Sequence, residues 1–216
     1  MYSLLKPFIF KIDPEMAHNL AIKTLKYNFL PEDIFKVENE SILETKIFNN
    51  KIKNPIGLAA GFDKSAEVYN SLFRFGFGFI EVGTITPKSQ PGNPKPRVFR
   101  FKDQHAIVNS LGFNNKGIDY LVKRIKARKY NGVLGINIGA NKDSIGQRRI
   151  DDYIECFQKV APYADYIAVN ISSPNTPDLR SLHLKENFLP LFESIRNSRA
   201  AEKFTNPIFV KLSPDE

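Results

Sequence analysis

Tyr166-Ile167-Ala168-Val169-Asn170-Ile171-Ser172-Ser173-Pro174-Asn175-Thr176-Pro177 runs from a short apolar, partly β-branched segment straight into a cluster of amides and hydroxyls. The segment reads as a buried strand, so the polar cluster falls where that strand emerges into a loop. Taken alone, Ser, Pro, Asn and Thr are also the ordinary vocabulary of turns. What decides the reading is repetition. Strand-like runs are expected at residues 55–60, 79–84, 133–139, 166–171 and 207–212, and each ends in polar or glycine-rich sequence: Gly61-Phe62-Asp63-Lys64, Thr84, Asn137, Asn170 and Lys211.

Between these runs lie stripes at helical spacing: Val68, Leu72 and Phe75; Ile118, Leu121, Val122 and Ile125; Ile154, Phe157 and Val160; Phe188, Leu191, Phe192 and Ile195. Strands alternating with helices imply parallel strands joined by crossovers. In such sheets ligands bind at the carboxyl ends of the strands, and in a barrel the catalytic groups come from several strand ends. The five polar ends therefore mark one expected active-site rim.

Two stretches lie off this pattern. Residues 84–97 are too rich in proline for helix or central strand and read as an excursion over one face. They lead toward Asn109-Ser110-Leu111-Gly112-Phe113-Asn114-Asn115, where glycine allows close backbone approach and the asparagines offer donors and acceptors. A structural loop would have the same composition.

Upstream, the sequence through about residue 40 is helical in pattern. Asp13-Pro14-Glu15 supplies a cap and a proline at the first helical position, and Ala17, Leu20, Ala21, Thr24 and Leu25 recur at helical spacing beside Lys23 and Lys26. Leu4, Leu5, Phe8, Ile9 and Phe10 precede them. These helices either pack on the main domain or form a basic amphipathic cap on a bilayer surface. Residues 47–52 read as a small hairpin with an Asn-Asn turn. The expected division is an N-terminal helical extension over residues 1–44, a possible cap on the membrane side, and a partial β/α barrel over residues 45–216.

Composition narrows the classes. The 216 residues carry a net charge of +8, which suits an anionic surface or ligand. The basic residues are scattered and show no nucleic-acid fold signature. No apolar run approaches a membrane span, and Lys6 and Pro7 interrupt anything resembling a signal peptide. The single cysteine, Cys156, precludes an internal disulfide and suits a reducing compartment; its helix-like surroundings make it a packing residue. The three histidines, His18, His105 and His183, show no metal-ligand spacing, so no metal is expected. There is no phosphate loop, dinucleotide fingerprint or nucleophile elbow. What remains is a rim of amides, hydroxyls and two lysines, Lys64 and Lys211, suited to a planar, hydrogen-bonding heterocycle.

Gly57-Leu58-Ala59-Ala60-Gly61-Phe62-Asp63-Lys64, Glu81-Val82-Gly83-Thr84-Ile85-Thr86-Pro87, Gln90-Pro91-Gly92-Asn93, residues 109–114, Gly135-Ile136-Asn137-Ile138-Gly139 and residues 170–176 together resemble the dihydroorotate dehydrogenases, most closely their quinone-dependent, membrane-associated class. The resemblance implies a TIM (β/α)8 barrel with flavin mononucleotide (FMN), oxidation of dihydroorotate to orotate in pyrimidine synthesis, and electron delivery to a membrane quinone. It also implies a peripheral enzyme on the cytoplasmic face of a membrane, touching it through the N-terminal helices. Matching positions imply that FMN is contacted by Ala60, Gly61, Phe62, Asp63, Lys64, Thr84, Asn137, Asn170 and Lys211. Substrate would meet Lys64, Asn109, Ser110, Leu111, Gly112, Phe113, Asn170 and Asn175. Ser173 would be the base, with Lys64 stabilising charge and Thr176 holding a relay water; serine at this position suits the quinone-dependent class, whose soluble relatives use cysteine.

A TIM barrel has eight strands in roughly 250 residues, whereas five are legible here. Ser213-Pro214-Asp215-Glu216 is a helix start with no helix after it, which reads as a truncated chain. The alternative to an enzyme completed elsewhere is thus a non-catalytic remnant lacking the later strands.

Overall fold

The structure is a computed structural model that describes residues 2–27, 41–48, 50–130, 132–176 and 179–213. The expected helix start at residues 213–216 lies largely outside the described residues, as do residues 28–40. Helices α1 (Tyr2–Ile9) and α2 (Pro14–Lys26) come first. Asp13 caps α2 as its sequence implies, its carboxylate accepting from the Met16 amide at 2.9 Å. Strands β1 (Thr45–Ile47) and β2 (Asn50–Ile52) form the expected antiparallel hairpin.

Next come β3 (Gly57–Leu58), α3 (Tyr69–Phe73), β4 (Phe79–Ile85), β5 (Val98–Phe101), β6 (Ala106–Asn109), α4 (Ile118–Ile125), β7 (Val133–Ile138), α5 (Gln147–Val160), β8 (Tyr166–Asn170), α6 (Lys185–Ala201) and β9 (Ile208–Lys211). Strands β3, β4, β7, β8 and β9 form one parallel sheet in that order. Every residue of β7 and β8 is buried, as expected where a parallel sheet is covered on both faces. Helix α5 presents Tyr153, Cys156, Phe157 and Val160 to the core, and α4 presents Ile118, Leu121 and Ile125. These spacings of three and four residues are what lay one apolar face on the sheet. Cys156 is a fully buried packing residue, and burial pushes its thiol pKa up.

The five-stranded parallel sheet with helical crossovers is an incomplete barrel, with β3 and β9 at its edges. Below the sheet, Ile52 of β2 packs with Val133, Tyr166 and Ala168, and Phe48 lies against Tyr166 and Phe209.

Three sequence expectations are corrected. The first strand is only Gly57–Leu58 rather than residues 55–60, because Asn54 turns the chain: its side chain accepts from the Ile56 amide at 3.0 Å and donates to Gly76 O at 2.7 Å. The stripe expected over residues 68–75 yields the five-residue α3, with Phe75 exposed beyond it. Within α2, Leu25 is buried but Leu20 and Met16 face outward, so the face turned to the domain carries Glu15, His18 and Ile22 instead. The antiparallel hairpin β5–β6 had no counterpart in the sequence reading.

Candidate active site

The carboxyl ends of the strands converge as expected. A cleft of about 540 Å³ is lined by Ala60, Gly61 and Lys64 after β3, Gly83 and Thr84 of β4, Asn170, Ser172, Ser173, Pro174 and Asn175 at the end of β8, and Lys211 of β9. Its outer wall is Asn109, Leu111, Gly112, Phe113 and Asn114 after β6. Residues spread over 150 positions of sequence thus share one concavity because parallel strands aim their carboxyl ends the same way.

Beneath the cleft runs a hydrogen-bonded layer. Thr84 Oγ1 donates to Asn137 Oδ1 at 2.6 Å and accepts from Asn170 Nδ2 at 2.9 Å. Asn170 Oδ1 accepts from the Ser172 amide and hydroxyl at 3.1 and 3.0 Å, and Lys211 Nζ donates to Ser172 Oγ at 3.2 Å. Asn137 is fully buried and donates downward from Nδ2 to Glu81 Oε1 at 2.8 Å, while the Tyr166 hydroxyl donates to Glu81 Oε2 at 3.0 Å. From the other side the buried Tyr153 hydroxyl donates to Asn170 O at 2.7 Å. Asn137 therefore supports Thr84 and Asn170 from below rather than lining the cleft, and each buried amide has its partners, as burial demands.

Gly83 lets this layer close. Its φ is +114°, and a Cβ there would lie 2.3 Å from Asn137 O, so a side chain is excluded by both backbone and contact. Its amide donates to Asp63 O at 3.1 Å and its carbonyl accepts from the Gly61 amide at 2.9 Å, which stitches the loop after β3 to β4.

Lys64 is partly buried and makes no ion pair among the described residues; desolvation lowers its pKa. A cation held in a partly dry cleft attracts developing negative charge more strongly than one in water. Ser173 Oγ accepts from the Asn175 amide at 3.2 Å. Thr176 does not line the cleft; it is buried, and its Oγ1 has no hydrogen-bond partner among the described residues.

Phe62 and Asp63 point elsewhere. The buried Asp63 carboxylate accepts from the Glu67 and Val68 amides at 2.7 and 2.8 Å, holding the turn before α3, and Phe62 stands edge-on to His18 with centroids 5.1 Å apart. Both line a second cavity, of about 520 Å³, between α2 and the β5–β6 hairpin. It contains His18, Ile22, Val98, Arg100 and Ile107, and it shares Gly61, Lys64, Asn109, Leu111 and Asn114 with the first cleft. Desolvation, aided by the Lys64 charge, pushes the His18 pKa down to about 4, so this imidazole is neutral near pH 7. Ser110 is not among the residues lining the cleft; its amide donates to Arg97 O at 2.9 Å.

Several functional candidates escaped the sequence reading. Asn114 lines both cavities and its Oδ1 is buried without a partner among the described residues; the sequence placed it in the 109–115 run of asparagine donors and acceptors but assigned it no substrate contact. Glu81 had a visible signal, an acid inside the otherwise apolar run Phe79-Ile80-Glu81-Val82. The second cavity had none, since its walls come from helix and hairpin segments far apart in sequence.

A barrel-type α/β chain with an amide-rich, lysine-bearing cleft at its carboxyl rim belongs to the class of β/α-barrel proteins that place their ligand sites at the strand ends. The comparisons specify which. A family model described as dihydroorotate dehydrogenase matches residues 42–216. The dihydroorotate dehydrogenase (quinone) of Idiomarina loihiensis is 47% identical over 221 residues, covering 100% of this chain and 66% of its own length. That of Shewanella halifaxensis is 48% identical, covering 99% of this chain and 65% of its own length. A crystal structure of DHODH from Eimeria tenella in complex with ferulenol superposes with a TM-score of 0.83 at 38% identity, over 94% of this chain and 60% of that one. The chain belongs to the dihydroorotate dehydrogenase family and spans about two thirds of the length of these curated relatives.

Proposed function

We propose that this chain forms the flavin-and-substrate face of a quinone-dependent dihydroorotate dehydrogenase, oxidising dihydroorotate to orotate in pyrimidine synthesis. The observation that carries the reading is the pair of adjoining cavities. One is lined by amides, hydroxyls and lysines, the other is mixed, with Ile22, Val98, Ile107 and Leu111 beside a neutral His18, Arg100, Glu15 and several amides, and Lys64 lies on both.

The first cleft fits FMN by its donor set. Gly61 and Gly83 bring bare backbone to the cavity, a Cβ on Gly61 would meet nothing within 4 Å, and Lys64, Thr84 and Lys211 present a cation, a hydroxyl and a second cation. Bound there, FMN would supply the hydride acceptor. Asn109, Asn114 and Asn175 would hold the polar edges of the pyrimidine, and Lys64 would stabilise the negative charge that grows on the substrate carbonyl as the adjacent C–H loses its proton. Ser173 Oγ would take that proton, and because a hydroxyl is a weak base it needs a relay. Thr176 Oγ1, buried and unpartnered, is suited to hold the relay water. In the second cavity the imidazole of His18 and the guanidinium of Arg100 would donate to quinone oxygens.

The outward face of α1 and α2 supports a bilayer contact. Leu4, Phe8, Met16 and Leu20 are exposed there beside Lys6, Lys11 and Lys23, the composition of an interfacial helix. No described helix is long and apolar enough to cross a membrane. The buried free thiol of Cys156 suits the cytoplasmic side.

Ser173→Ala decides the mechanism in the FMN-loaded protein: reduction of flavin by dihydroorotate should slow by about 10²–10⁴-fold, and an unchanged rate would remove Ser173 as the base.

A further inference from the structure

We propose that Asn93 is a positioning residue that ties the loop carrying Ser173 to the opposite wall of the cleft. The seating of α2 fixes Asn93 in turn, through Arg97. The proposal rests on the functional reading only where it concerns Ser173 as base; the clamp itself is a statement about this chain.

The geometry is as follows. Asn93 Nδ2 donates to Ser110 O at 3.0 Å on one wall and to Asn175 O at 3.2 Å on the other. Its Oδ1 accepts from Lys142 Nζ at 2.9 Å, its amide donates to Leu111 O at 3.1 Å, and its carbonyl accepts from Arg97 Nη1 at 2.8 Å. Every polar atom of the residue is engaged, and the two side-chain N–H groups are shared between the two walls. Among the described residues, the other hydrogen bond between those walls is Asn175 Nδ2 to Asn109 O at 3.5 Å, the limit of such a bond.

Asn175 is the point through which the clamp acts. Its carbonyl is held by Asn93, and its own amide donates to Ser173 Oγ. Displacing the Asn175 backbone therefore displaces the hydroxyl.

The other end of the clamp reaches α2. Arg97 is 5% exposed and donates through Nε and Nη2 to the Glu15 carboxylate at 3.1 and 2.6 Å, a bidentate pair, while Nη1 also reaches Pro91 O at 2.6 Å. Gly92 has φ +79°, and a Cβ there would lie 2.2 Å from Leu111 O, so the proline-rich strap of residues 84–97 lies against the cleft wall with no space between. Glu15 also lines the second cavity. The helix that walls one cavity is thus joined, through two residues of the strap, to the loop that walls the other.

Asn93→Asp tests this. The variant keeps the shape, the Lys142 contact and both backbone bonds, but it loses the two donors and sets an oxygen against two carbonyls. In the unloaded protein, backbone amide exchange of residues 171–176 should rise about tenfold or more, as expected for two lost hydrogen bonds, with residues 133–138 unchanged. Glu15→Gln, which weakens the hold on Arg97, should raise exchange in the same segment by a smaller factor. In the FMN-loaded protein, Asn93→Asp should slow flavin reduction at saturating dihydroorotate while FMN affinity stays within about twofold, a split that general loss of structure would not give. Should that chain fail to fold, Asn93→Ser removes the arm without adding charge and gives the same comparison. Unchanged exchange at 171–176 in the folded variant overturns the clamp. A wild-type chain whose flavin never bleaches would instead defeat the functional reading, and the exchange result would still decide the clamp.

Discussion

Replacing Glu67 with glutamine should loosen α2 from the barrel. Glu67 Oε1 gathers Lys26 Nζ from α2 at 3.0 Å, Lys116 Nζ at 2.9 Å and the Tyr120 hydroxyl at 2.9 Å. Burial pushes this carboxyl up, but the hydrogen bonds from Lys116, Lys26 and Tyr120 outweigh it and hold its pKa down to about 2, from an ordinary 4.5. A difference of that size corresponds to about 3 kcal/mol. The Glu67 side chain is only 13% exposed, but Lys26 and Lys116 are 35% and 51% exposed, so solvent screening reduces the value to about 2 kcal/mol. The unfolded carboxyl takes up its proton near pH 4.5 while the folded one resists to about pH 2, so the contribution is complete above 4.5 and vanishes as pH falls to 2. Urea unfolding followed by circular dichroism should show Glu67→Gln about 2 kcal/mol less stable at pH 7 and nearly equal to wild type near pH 2. A loss below about 0.5 kcal/mol at pH 7, the range of ordinary surface changes, or a gap independent of pH, would refute the reasoning.

Three further outcomes follow from the layer beneath the cleft and from its neighbour. Gly83→Ala sets a methyl against the Asn137 carbonyl in a backbone conformation that disfavours side chains; a loss of about 2–4 kcal/mol in thermal or urea unfolding, together with lost flavin binding, is expected. Tyr153→Phe removes the hydroxyl on Asn170 O and should cost about 1–2 kcal/mol, read by the same unfolding assay, with the fold intact. His18, whose neutral form the fold prefers, should make stability fall as pH drops from 6.5 toward 4, because the unfolded imidazole binds its proton first; His18→Phe should flatten that part of the pH profile.

The sequence was most readable where burial was two-sided and period was strict. Strands β7 and β8 and the helices α4 and α5 fall where their apolar runs and stripes place them, because full burial leaves little choice of residue. The β5–β6 hairpin was hidden because both its strands are largely exposed and the proline-rich stretch before it suggested continued loop. The rim residues Lys64, Thr84, Asn170 and Lys211 were legible as polar interruptions at strand ends. Their supports were not: Asn93 meets Asn175, and Arg97 meets Glu15, across 82 positions of sequence. Tyr166 meets Glu81 across 85. Pairings that the fold alone brings together leave no local signature, and Phe62 and Asp63, adjacent to Lys64 in sequence, serve a different cavity for the same reason.

The central claim is that the two adjoining cavities are the working face of a flavin-dependent dihydroorotate oxidation. It is tested most directly by expressing this chain, isolating it by gel filtration with FMN, recording the visible spectrum, and adding dihydroorotate without oxygen. A monodisperse protein whose bound flavin bleaches on addition of dihydroorotate is the predicted result. A folded protein that binds no flavin, or whose bound flavin keeps its colour in the presence of dihydroorotate, would contradict it.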